Sequence, residues 1–181
     1  YPEAAAIRLY LAAELARQGR AGEAIEHYRK AILLAPAYEG GYLKLGLLEF
    51  ERGNIDEAIT LYRKALSLKE NYPEAHNNLA NALLRKGQRD LAIEHYRKAL
   101  EQRSDFADVH YNLANVLAQQ ADLKGAIDQY EAALADHPFF AAAHNNLANV
   151  LWQEGRFTKA VDHYRQALQY RPNWWQVANN L

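Results

Sequence analysis

The residues of this chain able to do chemistry are few and are spaced with unusual regularity. His76, His110 and His144 stand 34 residues apart, His27, His95 and His163 stand at twice that spacing, and His137 belongs to neither set. A zinc site needs three or four converging ligands, and neither set supplies them. Members of the first set could approach a neighbour, since packed helices lie about 8–10 Å apart, but so even a spacing marks a scaffold position, and these are read as packing histidines. The chain has no cysteine, which excludes disulfides, thiolate metal sites and cysteine nucleophiles. Its only serines, Ser67 and Ser104, interrupt the local pattern and form no nucleophile elbow. The glycines follow the period and build no phosphate loop. Most carboxylates fall on exposed helix faces, as Glu94 does beside Lys98. No catalysis, metal or cofactor is expected.

Asparagine is the other polar residue with a pattern. Ten of the thirteen asparagines, namely Asn77, Asn78, Asn81, Asn112, Asn115, Asn145, Asn146, Asn149, Asn179 and Asn180, recur at related positions. Asparagine is disfavoured in a helix by roughly 0.6 kcal/mol against alanine, and solubility alone would be served better by glutamate or lysine. An amide offers a donor and an acceptor together, so a row of amides can satisfy the backbone of an extended peptide whatever its side chains. Two readings stand: a peptide-binding ladder, or solvated amides and amides that stitch neighbouring units together.

The period that spaces these residues runs through the whole chain. Leu11, Leu45, Leu79, Leu113, Leu147 and Leu181 recur at 34, as do Ala24, Ala58, Ala92, Ala126 and Ala160, and Tyr28, Tyr62, Tyr96, Tyr130 and Tyr164. Small residues follow the leucines at Ala12, Gly46, Ala80, Ala114 and Ala148, and a turn glycine recurs at Gly19, Gly53, Gly87 and Gly155, with Ala121 as the exception. Each unit reads as two helices. In residues 73–106, Pro73 suits a first helical turn, and Ala75, Leu79, Ala82 and Leu83 form an apolar stripe at helical spacing. Gly87 stops that helix. Leu91, Ile93, Tyr96, Ala99 and Leu100 are the apolar positions of the second. Gly22, Asp56, Asp90, Lys124 and Thr158 stand where the second helices would be capped, Lys124 poorly, with Asp122 as its substitute. Ala80 and Ala92 are candidates for a close helix crossing, with the tyrosines filling beside it.

Composition agrees with a globular chain of near-zero net charge. Half of the 181 residues are hydrophobic, a quarter are charged and the net charge is −1. No basic run suggests nucleic acid. Arg29, Arg63, Arg97 and Arg165 each follow a tyrosine of the series, and the reading preferred is core tyrosines with arginines on an outer face among glutamates. No apolar run approaches the roughly 20 residues that cross a bilayer. Tyr1-Pro2-Glu3 is no signal peptide, and the chain lacks methionine, so it is expected to be a piece of a longer chain, or a processed or engineered product, continuing at both ends. The compartment stays open.

These residues resemble the tetratricopeptide repeat family, whose period is 34. Leu-Ala, or Leu45-Gly46, stands where the family has Leu-Gly; the alanine and tyrosine of the second helix match; and Pro36, Pro138 and Pro172 match the closing proline, with Pro2 fitting it as well. Glu70 and Ser104 replace that proline, and Arg8, Tyr42, His76, His110 and His144 stand where the family has tryptophan. The resemblance implies an all-α fold, a right-handed superhelical solenoid of five helix-turn-helix units plus a partial sixth, in a single array. Residues 1–4 would end a preceding unit; the repeats would be 5–38, 39–72, 73–106, 107–140 and 141–174; and 175–181 would open a sixth, with Trp174, Trp175, Val177 and Leu181 closing the array.

The resemblance also places the first helices on a concave face, with no linker between repeats. The side of each first helix opposite its core stripe would line the groove. There the candidate peptide-binding residues are Asn77, Asn78 and Asn81 with Glu74 and Arg85; Tyr111, Asn112 and Asn115 with Asp108 and Gln119; and Asn145, Asn146, Asn149 and Trp152 with Gln153. In the first two units the face carries Leu9, Tyr10, Ala13 and Arg17, then Leu43, Lys44, Leu47 and Phe50. Either the groove is apolar at one end, or Leu9, Leu43 and Leu47 are simply covered. The Asn-Asn-Leu-Ala-Asn strings resemble the repeat region of O-linked N-acetylglucosamine transferases, which implies a ladder at Asn78, Asn112, Asn146 and Asn180. A carboxylate clamp is not expected, because its basic positions would fall on Asn77, Ala142 and Asn146. The function expected is a scaffold for a protein or peptide ligand, with no nucleic acid and no membrane. The alternatives are a self-assembly element that forms a homo-oligomer through its terminal helices, and the substrate-selecting arm of a larger transferase.

Overall fold

A computed structural model describes residues 2–178 and 180; Leu181 and Asn179, members of the leucine and asparagine series, lie outside the described residues. Every regular element among those residues is a helix: α1 (Pro2–Arg17), α2 (Ala21–Leu34), α3 (Glu39–Glu51), α4 (Ile55–Leu68), α5 (Pro73–Arg85), α6 (Arg89–Gln102), α7 (Ala107–Gln119), α8 (Leu123–Asp136), α9 (Ala141–Gln153), α10 (Phe157–Tyr170) and α11 (Trp175–Ala178). The fold is all-α, built of helix-turn-helix pairs. The chain forms two compact units, Tyr1–Gln102 and Arg103–Leu181. In the first, α1 packs on α2, α3 on α4 and α5 on α6, with α2 against α3 and α4 against α5. In the second, α7 packs on α8 and α9 on α10, with α8 against α9 and α11 against α10. α1 begins at Pro2, a turn before the expected start of the first repeat.

The turn inside each pair is set by one left-handed residue. Gly19, Gly53, Gly87 and Gly155 have φ between 76° and 85°, where glycine alone pays no side-chain penalty. At Gly87 the next amide, of Gln88, donates to Leu83 at 2.9 Å, while Gly87 itself donates to Leu84 at 2.9 Å. That pair of bonds satisfies the carbonyls a helix end leaves open. Ala121 takes the same conformation at φ 62°, and Asp122 donates to Leu117 at 3.0 Å as the glycine turns do. Only one residue follows the left-handed one before the second helix starts, so the expected caps move. The second helices begin at Ala21, Ile55, Arg89, Leu123 and Phe157, which puts Gly22, Asp56, Asp90, Lys124 and Thr158 inside the first turn rather than at the cap. Asp56 and Asp90 there carry a negative charge where the helix dipole favours one. Asp122 is the expected cap that holds, accepting from the Gly125 amide at 3.0 Å.

The periodic small and aromatic residues form the core. The second-helix alanines and tyrosines are all buried, as are Leu45, Leu79, Leu113 and Leu147. Two positions of the expected pattern are exposed instead: Leu11 at 40% and Leu91 at 44%. In the second, third and fifth repeats the preceding second helix packs against the first, and α1 has no such helix on it among the described residues; Leu91 stands in the first turn of α6. At Gly46 a Cβ would meet ring atoms of Tyr62 at 2.7 and 2.9 Å and Leu61 Cβ at 3.3 Å, so α3 approaches α4 as closely as glycine allows. One core position breaks the pattern chemically. Leu15, Leu83, Leu117 and Leu151 fill equivalent places, but α3 puts Glu49 there, 2% exposed. Its carboxylate accepts from Arg29 of α2 at 3.0 Å and from Asn54 Nδ2 at 2.7 Å, the partners a buried charge requires.

Candidate ligand-binding faces

In the second unit the candidate residues stand on α7 and α9. Helical spacing turns Val109, Leu113 and Leu117 inward, so Tyr111, Asn112 and Asn115 sit at the edge of the core, half-buried. On α9 the same geometry buries Leu147 and Leu151 and leaves Asn145, Asn146 and Asn149 half-buried and Trp152 48% exposed. These side chains are joined to one another. The hydroxyl of Tyr130 donates to Asn115 Oδ1 at 2.6 Å, and that of Tyr164 to Asn149 Oδ1 at 2.7 Å. Asn146 Nδ2 donates to Asn115 Oδ1 at 2.8 Å and to the Tyr111 hydroxyl at 3.2 Å, while its own carbonyl accepts from Asn145 at 2.9 Å. Asn146 therefore stitches the fourth repeat to the fifth, as one of the two readings of the asparagines expects. Beyond it, Asn149, Trp152, Tyr164 and Asn180 line a cavity of about 340 Å³, and Trp152 packs edge-on against Phe157 at 4.8 Å.

In the first unit Asn77, Asn78 and Asn81 on α5 are half-buried, and Tyr96 donates its hydroxyl to Asn81 Oδ1. Asn77 Nδ2 lies 3.4 Å from Asn78 Oδ1. On α3, Lys44 is exposed, Leu47 and Phe50 are half-buried, and the Arg85 guanidinium lies 5.5 Å from the Phe50 ring centre. Leu43 is only 6% exposed; it belongs to the interior and presents no side chain to a ligand, so one expected site residue is withdrawn.

The tyrosine–asparagine bond was not foreseen, although its signal is in the sequence. An asparagine fifteen positions before the core tyrosine occurs at Asn81 and Tyr96, Asn115 and Tyr130, and Asn149 and Tyr164; the first two repeats have Ala13 and Leu47 there. Burial of Tyr62, Tyr96 and Tyr130 pushes their hydroxyls well above the usual phenol range, so Tyr96 and Tyr130 keep their protons to donate to Asn81 and Asn115 at any ordinary pH.

The histidines pair across their helix hairpins. His76 Nδ1 lies 2.9 Å from His95 Nδ1, and His144 Nδ1 lies 2.9 Å from His163 Nδ1, with ring centres 5.2 Å apart in both pairs. In the fourth repeat His110 meets the Gln129 side-chain amide at 2.8 Å and the Ser104 carbonyl at 2.9 Å. No group of three metal-ligating side chains converges among the described residues, and no described helix is long and apolar enough to cross a membrane.

With this geometry in hand, comparison settles the family. Models described as TPR or tetratricopeptide repeat match residues 9–38, 46–87, 81–121 and 111–176. The chain belongs to the tetratricopeptide repeat family. Its fold is shared by MamA of Desulfovibrio magneticus RS-1, at 18% identity and TM-score 0.83 over 94% of this chain and 96% of that one. It is shared also by YrrB, described as a TPR protein with an unusual peptide-binding site, at 21% identity and TM-score 0.77 over 96% and 91%. Pseudomonas aeruginosa pilF matches at 21% identity and TM-score 0.85 over 93% and 77%. At these identities the likeness is one of fold. The chain matches none of the curated protein sequences. As a tetratricopeptide repeat array it is an interaction scaffold for protein partners.

Proposed function

We propose that this scaffold holds an extended segment of a partner protein against the amide-bearing faces of its first helices. The observation that carries the reading is the use made of each amide. The carbonyls of Asn115 and Asn149 accept from Tyr130 and Tyr164, so each amide is held in a fixed orientation with its N–H₂ group left as the donor for a ligand. Such a row takes the carbonyl oxygens of an extended backbone, and Trp152 beside Asn149 offers an aromatic face to an apolar side chain. On the first unit Asn77, Asn78 and Asn81 form a separate amide-bearing face, with Lys44, Leu47 and Phe50 as an apolar and basic region beside it. That the similar YrrB is described with a peptide-binding site supports peptide capture as a use of this fold. Affinity rests on many weak contacts made together.

The test is a peptide-array screen with the parent chain and with Asn115 and Asn149 changed together to aspartate, which keeps the acceptor for Tyr130 and Tyr164 and removes the N–H₂ donor. Loss of binding with helicity unchanged supports the ladder. Unchanged binding moves the site to the Leu47–Phe50 region or the outer face. A second reading, self-assembly, draws on the exposed Ile7 (67%) and Tyr10 (77%) of α1 and Trp175 (67%) of α11. It predicts oligomers that vanish when 174–181 are removed, and oligomers unchanged by that deletion would sink it.

A further inference from the structure

Two of the five repeats join their helices through a pair of histidines, and the protonation chemistry of the pair is fixed by its surroundings. The Nε2–H of His144 donates to the Pro138 carbonyl at 3.0 Å, and His76 makes the corresponding bond to the Glu70 carbonyl. Each therefore offers a bare Nδ1 lone pair, and His163 or His95 must supply the Nδ1–H that closes the 2.9 Å bond. Such a pair accepts one proton without breaking, on the partner's far nitrogen. A second proton, on the bare Nδ1, sets N–H against N–H and places two like charges within one half-buried contact. The fourth repeat is a built-in comparison: the amide of Gln129 facing His110 can turn either its donor or its acceptor to the ring, so no N–H need ever be set against N–H there.

We propose that His76–His95 and His144–His163 are acid-sensitive latches that hold α5 to α6 and α9 to α10 at neutral pH and loosen the amide-bearing first helices on acidification, releasing the bound peptide. The release half rests on the peptide-binding reading above; the latch itself does not. Asn77 and Asn145 directly follow the latch histidines on α5 and α9, so loss of the latch frees the helix segment that carries the amides. The charged groups facing the first pair are Lys98, Glu94 and Glu101 on α6, Arg63 on α4 and Glu70 before α5; those facing the second are Lys159 and Asp162 on α10, with the Tyr170 ring 5.6 Å from that of His144. Burial lowers all four histidines, His95 to about 4, with the like charge of the partner adding to it at His95 and His163. The folded state thus keeps neutral what the unfolded chain protonates near pH 6.5. Stability is complete above that pH and is lost as pH falls below it, for His95 down to about 4, by about tenfold in the folding constant per pH unit for each histidine kept neutral.

The experiment compares denaturant unfolding of the parent, the double variant H95Q/H163Q and the single variant Q129H between pH 7.5 and 4.5. Both substitutions copy contacts the chain already contains, and carboxylates titrate alike in all three proteins. The latch requires the folding constant of the double variant to fall by at least about tenfold less than that of the parent by pH 5, and that of Q129H to fall further. The same pH dependence in all three overturns it. A peptide selected on the array at pH 7.5 is then titrated at pH 5. Release from the parent but retention by H95Q/H163Q supports the coupling, and equal retention by both overturns it. If no peptide binds at any pH, the peptide-binding reading fails, and the unfolding comparison still decides the latch.

Discussion

Glu49 shows how much one residue can depart from its repeat without disturbing it. Four equivalent positions hold leucine, and the carboxylate occupies the same interior space by taking Arg29 and Asn54 as partners. Arg29 is 58% exposed, so its charge returns to water if the partner is lost. Glu49→Leu is therefore expected to be neutral or stabilising by about 1–3 kcal/mol, as for other buried ion pairs replaced by apolar groups. Glu49→Ala should destabilise by about 1–3 kcal/mol, because a cavity replaces both the bonds and the volume. Urea denaturation of the two variants checks the pair, and a Leu variant weaker than the Ala variant would refute the argument. The periodicity marks position 49 as apolar and so gives no hint of the charge. Leu43 fails the other way: its period places it on the groove side, whereas packing that no repeat pattern encodes buries it.

At the scale of the helix hairpin, the turn is the element that fixes the geometry. Ala121 holds a left-handed conformation that costs an L-residue about 1–2 kcal/mol, while glycine in the unfolded chain costs about 0.4–1 kcal/mol in entropy. Ala121→Gly should therefore stabilise by roughly 0.5–1 kcal/mol, read as a rise in the thermal midpoint. A fall would show that α7 and α8 are joined differently from the other pairs. The period made the hairpins legible, and Gly87 and Pro73 mark their boundaries as expected. The caps were misplaced by two residues, because a side chain's capping propensity says nothing about how tight the preceding turn is. The histidine pairs were equally hidden: His76 and His95 belong to different sets in the sequence and meet only when the hairpin closes.

For the molecule as a whole, the contacts described run between neighbouring helices within each unit. Stability in such arrays is close to a sum of repeat and neighbour contributions, so damage should stay local. Tyr164→Phe removes the hydroxyl bond to Asn149 and should cost about 1 kcal/mol. Amide hydrogen exchange should then quicken in α9 and α10 and leave α1–α4 at the parent rate. Uniform quickening would mean that the chain unfolds as one cooperative body. This scale was the most legible in the sequence, since thirty-four-residue spacing of Ala and Tyr determines pairing and order. The candidate faces were legible in composition but not in wiring: nothing in the spacing of the asparagines says that Asn146 binds Asn115 while Asn149 serves Tyr164.

The placement of the indoles has an optical consequence. All three tryptophans, Trp152, Trp174 and Trp175, lie from α9 to α11, with Trp152 against Phe157 and Trp174 beside the Arg171 guanidinium at 4.8 Å. Emission excited at the red edge therefore reports on the segment from α9 to α11, whereas ellipticity in the far ultraviolet averages every helix. A denaturation followed by both signals resolves, without any label, whether the end that carries the Trp152 cavity melts before the rest.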